Sequence, residues 1–227
     1  NAAGYAASFA AVLGIKTDLD PEERTESSFI AEFKEGLAYT FGHRPILSLI
    51  LAFALFNFFV SPILILIPMI VKFRLNESVT WLAVFETFFA LGSAALAASL
   101  SFRKGYGNIY GWLFASVLLM GLSFGGLYFA RDKFLVCALL FGAGAALGGG
   151  NTLALTLFQA TVPDEMKGRF FSVLTTLAYA VMPLAFMVNG VLAERLSVDF
   201  CIAMNAAAVL ALSFVILLLP RIDYKPA

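Results

Sequence analysis

The chain has 227 residues, of which 61% are hydrophobic and only 13% charged, with a formal net charge of zero. A soluble domain wets its surface with about 25% charged residues, so the composition excludes that class and points to an integral membrane protein. Zero net charge gives no reason to expect a nucleic-acid partner; two cysteines and one histidine make neither a disulfide framework nor a metal site, and no cofactor is expected.

The first 15 residues, NAAGYAASFAAVLGI, are apolar. They fall short of the roughly 20 needed to cross a bilayer and lack the basic start of a signal peptide. They read as the end of a truncated transmembrane helix. Residues 16–44 follow as a linker. KTDLDPEERTESS is rich in charge and reads as flexible. In FIAEFKEGLAYTFG, Phe29, Phe33, Leu37 and Phe41 recur every four residues, which predicts an amphipathic helix on the membrane surface.

Six apolar runs are long enough to span: 45–71, 78–101, 109–130, 134–157, 170–193 and 198–220. Lipid offers backbone groups no partners, so each must be a helix. The expected fold is an all-α membrane protein, a six-transmembrane-helix domain over 45–220 with a short tail, 221–227. Ten Lys and Arg fall on the side holding the linker, 102–108, 158–169 and the tail, and five on the other. By the positive-inside rule the first side, with the C-terminus, is cytoplasmic.

The first run holds Pro45, Pro62 and Pro68. Pro62 removes a helical hydrogen bond and predicts a kink. Asn57 and Ser61, four residues apart, share a face there; they are read either as an interhelical hydrogen bond or as a contact to a transported molecule. The fourth run contains FGAGAALGGGN, with Gly142, Ala146, Gly150 and Ala154 on one small stripe and Gly144, Gly148 and Thr152 on another. Small stripes let helices approach closely, and clustered glycine also softens a helix. The fifth run is preceded by Pro163, which can open a short helical turn with Asp164 and Glu165 at its positive end, and it contains Pro183. Asn205, beside three alanines in the sixth run, reads as packing.

The second run raises the sharpest question. Glu86 is the one charged residue between Ser78 and Ser101, on a stripe with Ala83, Ala90, Ser93 and Ala97. Such stripes face other helices. An ionisable side chain within the membrane costs several kcal/mol on insertion scales and marks an ion or substrate path. Glu86 can exchange a proton, attract a cationic molecule, or sit protonated in a hydrogen bond to a neighbouring helix. No catalytic motif accompanies it, so an enzyme is not expected.

Three stretches carry a family resemblance. FIAEFKEGLAYTFGHRPILSLI, FETFFALGSAALAASLSFRKGYG and FQATVPDEMKGRFFSVLTTL resemble the linker and seventh helix, the eighth helix with its following loop, and the segment before the eleventh helix of the drug-efflux branch of the major facilitator superfamily. That branch includes macrolide and enterobactin exporters. The resemblance covers essentially the whole chain and implies the C-terminal half of a twelve-helix secondary transporter, working with an N-terminal six-helix half by alternating access. It further implies proton-coupled export of small amphipathic molecules such as drugs, in the inner membrane of a bacterium. Gln159, Asp164, Gly168 and Arg169 map onto the branch motif. Arg103 and Lys104 map onto the loop after the eighth helix, where Ser101 stands in place of the superfamily's usual aspartate. A six-helix protein with a structural or assembly role is the competing expectation.

Overall fold

The computed structural model describes residues 29–103 and 105–221, together with Phe9 and Val12. The expected cut helix of residues 1–15, apart from those two residues, the charged stretch before Phe29, Lys104 and the end of the tail lie outside the described residues. Two compact units divide the chain, 1–32 and 33–227, and all six spans belong to the second. The described residues form α1 (Phe29–Gly42), α2 (Arg44–Val60), α3 (Ile63–Met69) with a wide turn at Ile70–Arg74, α4 (Thr80–Ser101), α5 (Ile109–Phe129), α6 (Lys133–Thr161), α7 (Asp164–Arg195) and α8 (Val198–Leu218). Among them are six helices long and apolar enough to cross a membrane, the first being the kinked stretch Arg44–Arg74. "Inner" below means the end of the bundle that holds Arg44, Ser101 and Asp164.

Local chemistry fixes where the spans begin. Asn108 accepts the Gly111 N–H at 2.9 Å, Asp132 those of Phe134 and Leu135, and Ser197 that of Phe200. Each satisfies donors that a helix start leaves unpaired. Pro62 has no N–H to give, and the helix stops at Val60 and resumes at Ile63. The fifth span differs from expectation: there is no separate turn at Pro163. Pro163 is itself the N-cap, and α7 runs unbroken for 32 residues through Pro183.

The spans pack in a definite order. α4 lies chiefly on α6, α6 on α5, α5 on α8, and α2 on α7 and α8. Because lipid is as apolar as leucine, close backbone approach matters more than hydrophobicity. The α4–α6 contact runs through Gly92, Gly144 and Gly148. A Cβ on these glycines would meet the carbonyl oxygens of Phe141, Phe89 and Ser93 at 2.0, 1.9 and 2.2 Å. The stripe of Gly142 and Gly150 plays a different part. A Cβ on Gly142 meets only the Ser123 hydroxyl and a Leu119 methyl, and one on Gly150 only the Ser116 Cβ, at 3.9 Å.

Burial is unequal. In the apolar stretches of α4 and α7 only 11% and 17% of residues are buried, against 44–50% in those of the other four spans.

Candidate functional site

Glu86 lies on the open face of α4. It is exposed, as are Ala83 and Ala90, so this part of the small stripe is open, while Ser93 further along it meets Gly148 of α6. The packing stripe is the neighbouring one, Phe85, Gly92 and Leu100, which is buried. Offsetting the stripe by one residue rotates it about 100° around the helix, because each residue adds that angle at 3.6 per turn. Glu86 also lies six residues from the outer end of α4, about 9 Å along the axis, so it belongs to the outer third of the span. Beside it, the Thr87 hydroxyl donates to the Ala83 carbonyl at 2.7 Å. Among the described residues Glu86 has no ion pair.

At the break in the first span, the side chains of Asn57 and Ser61 are not bonded to each other, although the Ser61 N–H donates to the Asn57 carbonyl at 2.9 Å. The Asn57 Nδ2 donates to its own helix, at the Phe53 carbonyl, 2.8 Å away. Ser61 is buried, and its hydroxyl has no hydrogen-bond partner among the described residues. The kink thus concentrates polar groups in mid-span without satisfying all of them.

The branch motif is split at the inner end. Gln159 is exposed at the end of α6. Asp164, exposed in the first turn of α7, pairs with Lys167. Gly168 is exposed and a Cβ there would meet nothing. Arg169 instead reaches α1: its guanidinium pairs with Glu35 at 2.8 Å, and a Cβ on buried Gly36 would lie 2.9 Å from the Arg169 carbonyl oxygen. The inner face of α1 is therefore Gly36 and Thr40, both buried, while Phe41 of the expected apolar stripe stays exposed. In the loop after α4, the Arg103 guanidinium lies 4.6 Å from the Trp112 ring. Pro183 and Tyr179 are exposed on α7.

Sequence reasoning missed the outer end. Arg74 closes the first span, with its side chain 7% exposed, and ties it to two other helices at once. It donates to the Leu127 carbonyl at 2.5 Å and to that of Tyr128, capping the C-terminus of α5, and it pairs with Asp199 in the first turn of α8 at 2.9 Å. Arg131 adds a second, more exposed contact to Asp199. Alongside, Lys133 pairs with Glu77 at 2.9 Å and lies over the Trp81 ring, joining α6 to the start of α4. The available signal was an arginine at one span end and an aspartate at another, which any loop pair can offer. Asn205 has the packing role its alanine neighbours suggest: its Nδ2 donates to the Oδ1 of buried Asn189 at 2.6 Å, tying α8 to α7.

Comparison with known proteins adds three findings. A family model described as a transmembrane secretion effector, of the major facilitator type, matches residues 1–225. Macrolide efflux protein A of Streptococcus pyogenes is 25% identical over 200 residues, 86% of this chain and 49% of that protein. The protein of the same name from Enterococcus faecalis is 27% identical over 169 residues, 73% of this chain and 52% of its own length. The chain thus spans about half the length of these relatives. No solved structure matches it.

Proposed function

The chain belongs to the transmembrane secretion effector family of the major facilitator superfamily, and from that premise we propose that it is the C-terminal half-unit of a proton-coupled exporter of small amphipathic molecules. The family is one of transporters rather than enzymes. In this reading an N-terminal six-helix half completes the cavity, and the two halves rock about it in alternating access. Bilayer lipid surrounds the remaining faces. The protein sits in a bacterial inner membrane with its C-terminus in the cytoplasm, in keeping with the ten-to-five lysine and arginine bias. The similarity to macrolide efflux proteins supports drug-like substrates.

The observation that carries the proposal is Glu86. A carboxylate exposed on a sparsely buried span, with no ion pair among the described residues, is costly if it faces lipid. Facing a water-filled path, it is a proton carrier. Asn57 and Ser61 supply polar contacts at the break, and Pro62 the bend. Gly142, Gly150 and Pro183 allow adjustment of α6 and α7. Arg103, Lys104, Gln159, Asp164, Gly168 and Arg169 form the cytoplasmic gate and its loops. The experiment is gradient-driven efflux of a macrolide by the complete gene product, with and without Glu86→Gln. Glu86→Gln should lower efflux at least tenfold at unchanged expression, and a protonophore should do the same to the wild type. Full efflux by Glu86→Gln removes Glu86 from the mechanism. No transport by the wild type favours a structural role.

A further inference from the structure

A cavity of about 40 Å³ lies among α2, α5, α6 and α8. Phe53 and Phe56 of α2, Leu113 of α5, Gly150 and Asn151 of α6, and Leu212 of α8 are among its eleven lining residues. Asn151 is the only one of the eleven that is polar and the only one exposed, so it marks the mouth. A space of this size would admit water, but apart from Asn151 its walls offer water no side-chain hydrogen-bond partners. Interiors are normally packed to crystal-like density, so an empty apolar space bounded by four helices calls for a reason.

Gly150 supplies one. The glycines at 92, 144 and 148 are required because a partner backbone lies where a Cβ would be. Gly150 is under no such constraint: a methyl group there would make one ordinary contact, with the Ser116 Cβ at 3.9 Å. Glycine costs about 1 kcal/mol against alanine inside a helix. At this position helix packing does not demand it, and what it does is keep the cavity open. Ala154, one turn on, lines the same space.

We propose that this crevice is a binding pocket for an apolar group of an amphipathic small molecule, with Asn151 at the mouth bonding to the polar part. The proposal rests on the exporter reading and names where part of the substrate sits. Three observations favour this occupant. The walls offer dispersion contacts and no charge. The single amide both donates and accepts, which suits a neutral hydroxyl, ester or ketone. Asn151 also lies ten residues, about 15 Å, from the inner end of α6, deeper than phospholipid headgroups reach. Since α4 packs on α6 and α7 on α2, the crevice lies between the two sparsely buried spans.

The test uses the complete protein in nanodiscs and a series of fluorescent rhodamine esters with methyl, ethyl, propyl, butyl and hexyl chains. In the wild type, affinity should rise about fourfold for each of the first few methylenes, as burial of a CH₂ predicts, and then level off. In Gly150→Val the methyl ester should bind as before, while the gain per methylene should fall below twofold. Gly150→Ala, whose added methyl fits, should lose about fourfold for the butyl ester and serves if the valine variant does not fold. Asn151→Leu should weaken all esters alike. Wild-type gains in both Gly150 variants would make the crevice a packing void and overturn the proposal, as would a wild type with no chain-length dependence. Gains that vanish in Gly150→Val, in vesicles that pump no ester, would leave the pocket standing and remove the exporter reading.

Discussion

One methyl group at Gly144 would sit 1.9 Å from the carbonyl oxygen of Phe89, and no rotamer can move it away. The backbone of α4 or α6 must shift instead, and overpacking of this kind costs about 1–3 kcal/mol, reduced by the roughly 1 kcal/mol that alanine returns in helix propensity. Gly144→Ala should therefore lower the melting temperature in detergent by up to about 8 °C, the net cost of up to about 2 kcal/mol at about 2–4 °C per kcal/mol for this chain length. Gly142→Ala, which meets a rotatable serine hydroxyl, should lower it less, and Gly150→Ala should not lower it. The glycine-rich stretch was legible as a packing element, because small residues at steps of four have few other uses in a membrane. Which stripe makes the contact was not legible. The two stripes differ by two residues and are equally periodic; only the position of the α4 backbone separates them. Glu86 carries the same lesson, since its stripe and the buried one through Phe85 both look packable until the partner helix is known.

Among the elements, proline punctuates at helix starts, as Pro45 and Pro163 do, and at the packed break of Pro62, but not in the exposed middle of a helix. Pro62 stops α2, whereas Pro183 lies exposed on α7, and the helix runs through it. Pro163 marks a beginning, so the motif before the fifth span is the first turns of α7 itself. That places Arg169 on a rigid helix, where it holds α1 through Glu35 and the close approach of Gly36. Exposed ion pairs contribute little, so Glu35→Gln alone should shift the melting temperature by less than about 2 °C. Gly36→Leu, which drives a side chain into the α7 backbone, should release α1 and make its peptide bonds cleavable by limited proteolysis. Protection equal to wild type would show that α1 is held elsewhere. At the other end, Arg74 and Arg131 share Asp199, but their side chains are 7% and 57% exposed. Arg74→Gln strands two helix-terminal carbonyls and leaves Asp199 only its contact with Arg131, and should cost about 2–3 kcal/mol; Arg131→Gln should cost under about 1 kcal/mol. Equal melting temperatures for the two variants would show that the buried clamp contributes nothing beyond its exposed neighbour.

For the molecule as a whole, the informative quantity is which spans are left bare. α4 and α7 have few buried residues, yet α4 carries the isolated glutamate and α7 a row of polar groups, with Thr175, Thr176 and Tyr179 all exposed. α5 and α8 also expose residues, but these are Leu119, Leu122, Phe214 and Leu217, which suit lipid. The six spans and their order were legible because hydrophobic length is a strong signal; the bare faces were not, because a sequence does not record which helices touch. If the open faces of α4 and α7 border a water-filled path, a cysteine placed at Ala90 or Thr176 in the complete protein should react with a water-soluble maleimide. One at Leu122 or Phe214 should not, since thiolate formation needs water. The native Cys137 and Cys201 are buried and supply a low background. A substrate that shifts the balance of conformations should change the rate at Ala90→Cys and leave Phe214→Cys unaltered. Equal silence at all four positions would mean that lipid covers α4 and α7 as it covers α5 and α8. Glu86 would then lie outside any aqueous path, and the exporter mechanism would need a different carboxylate.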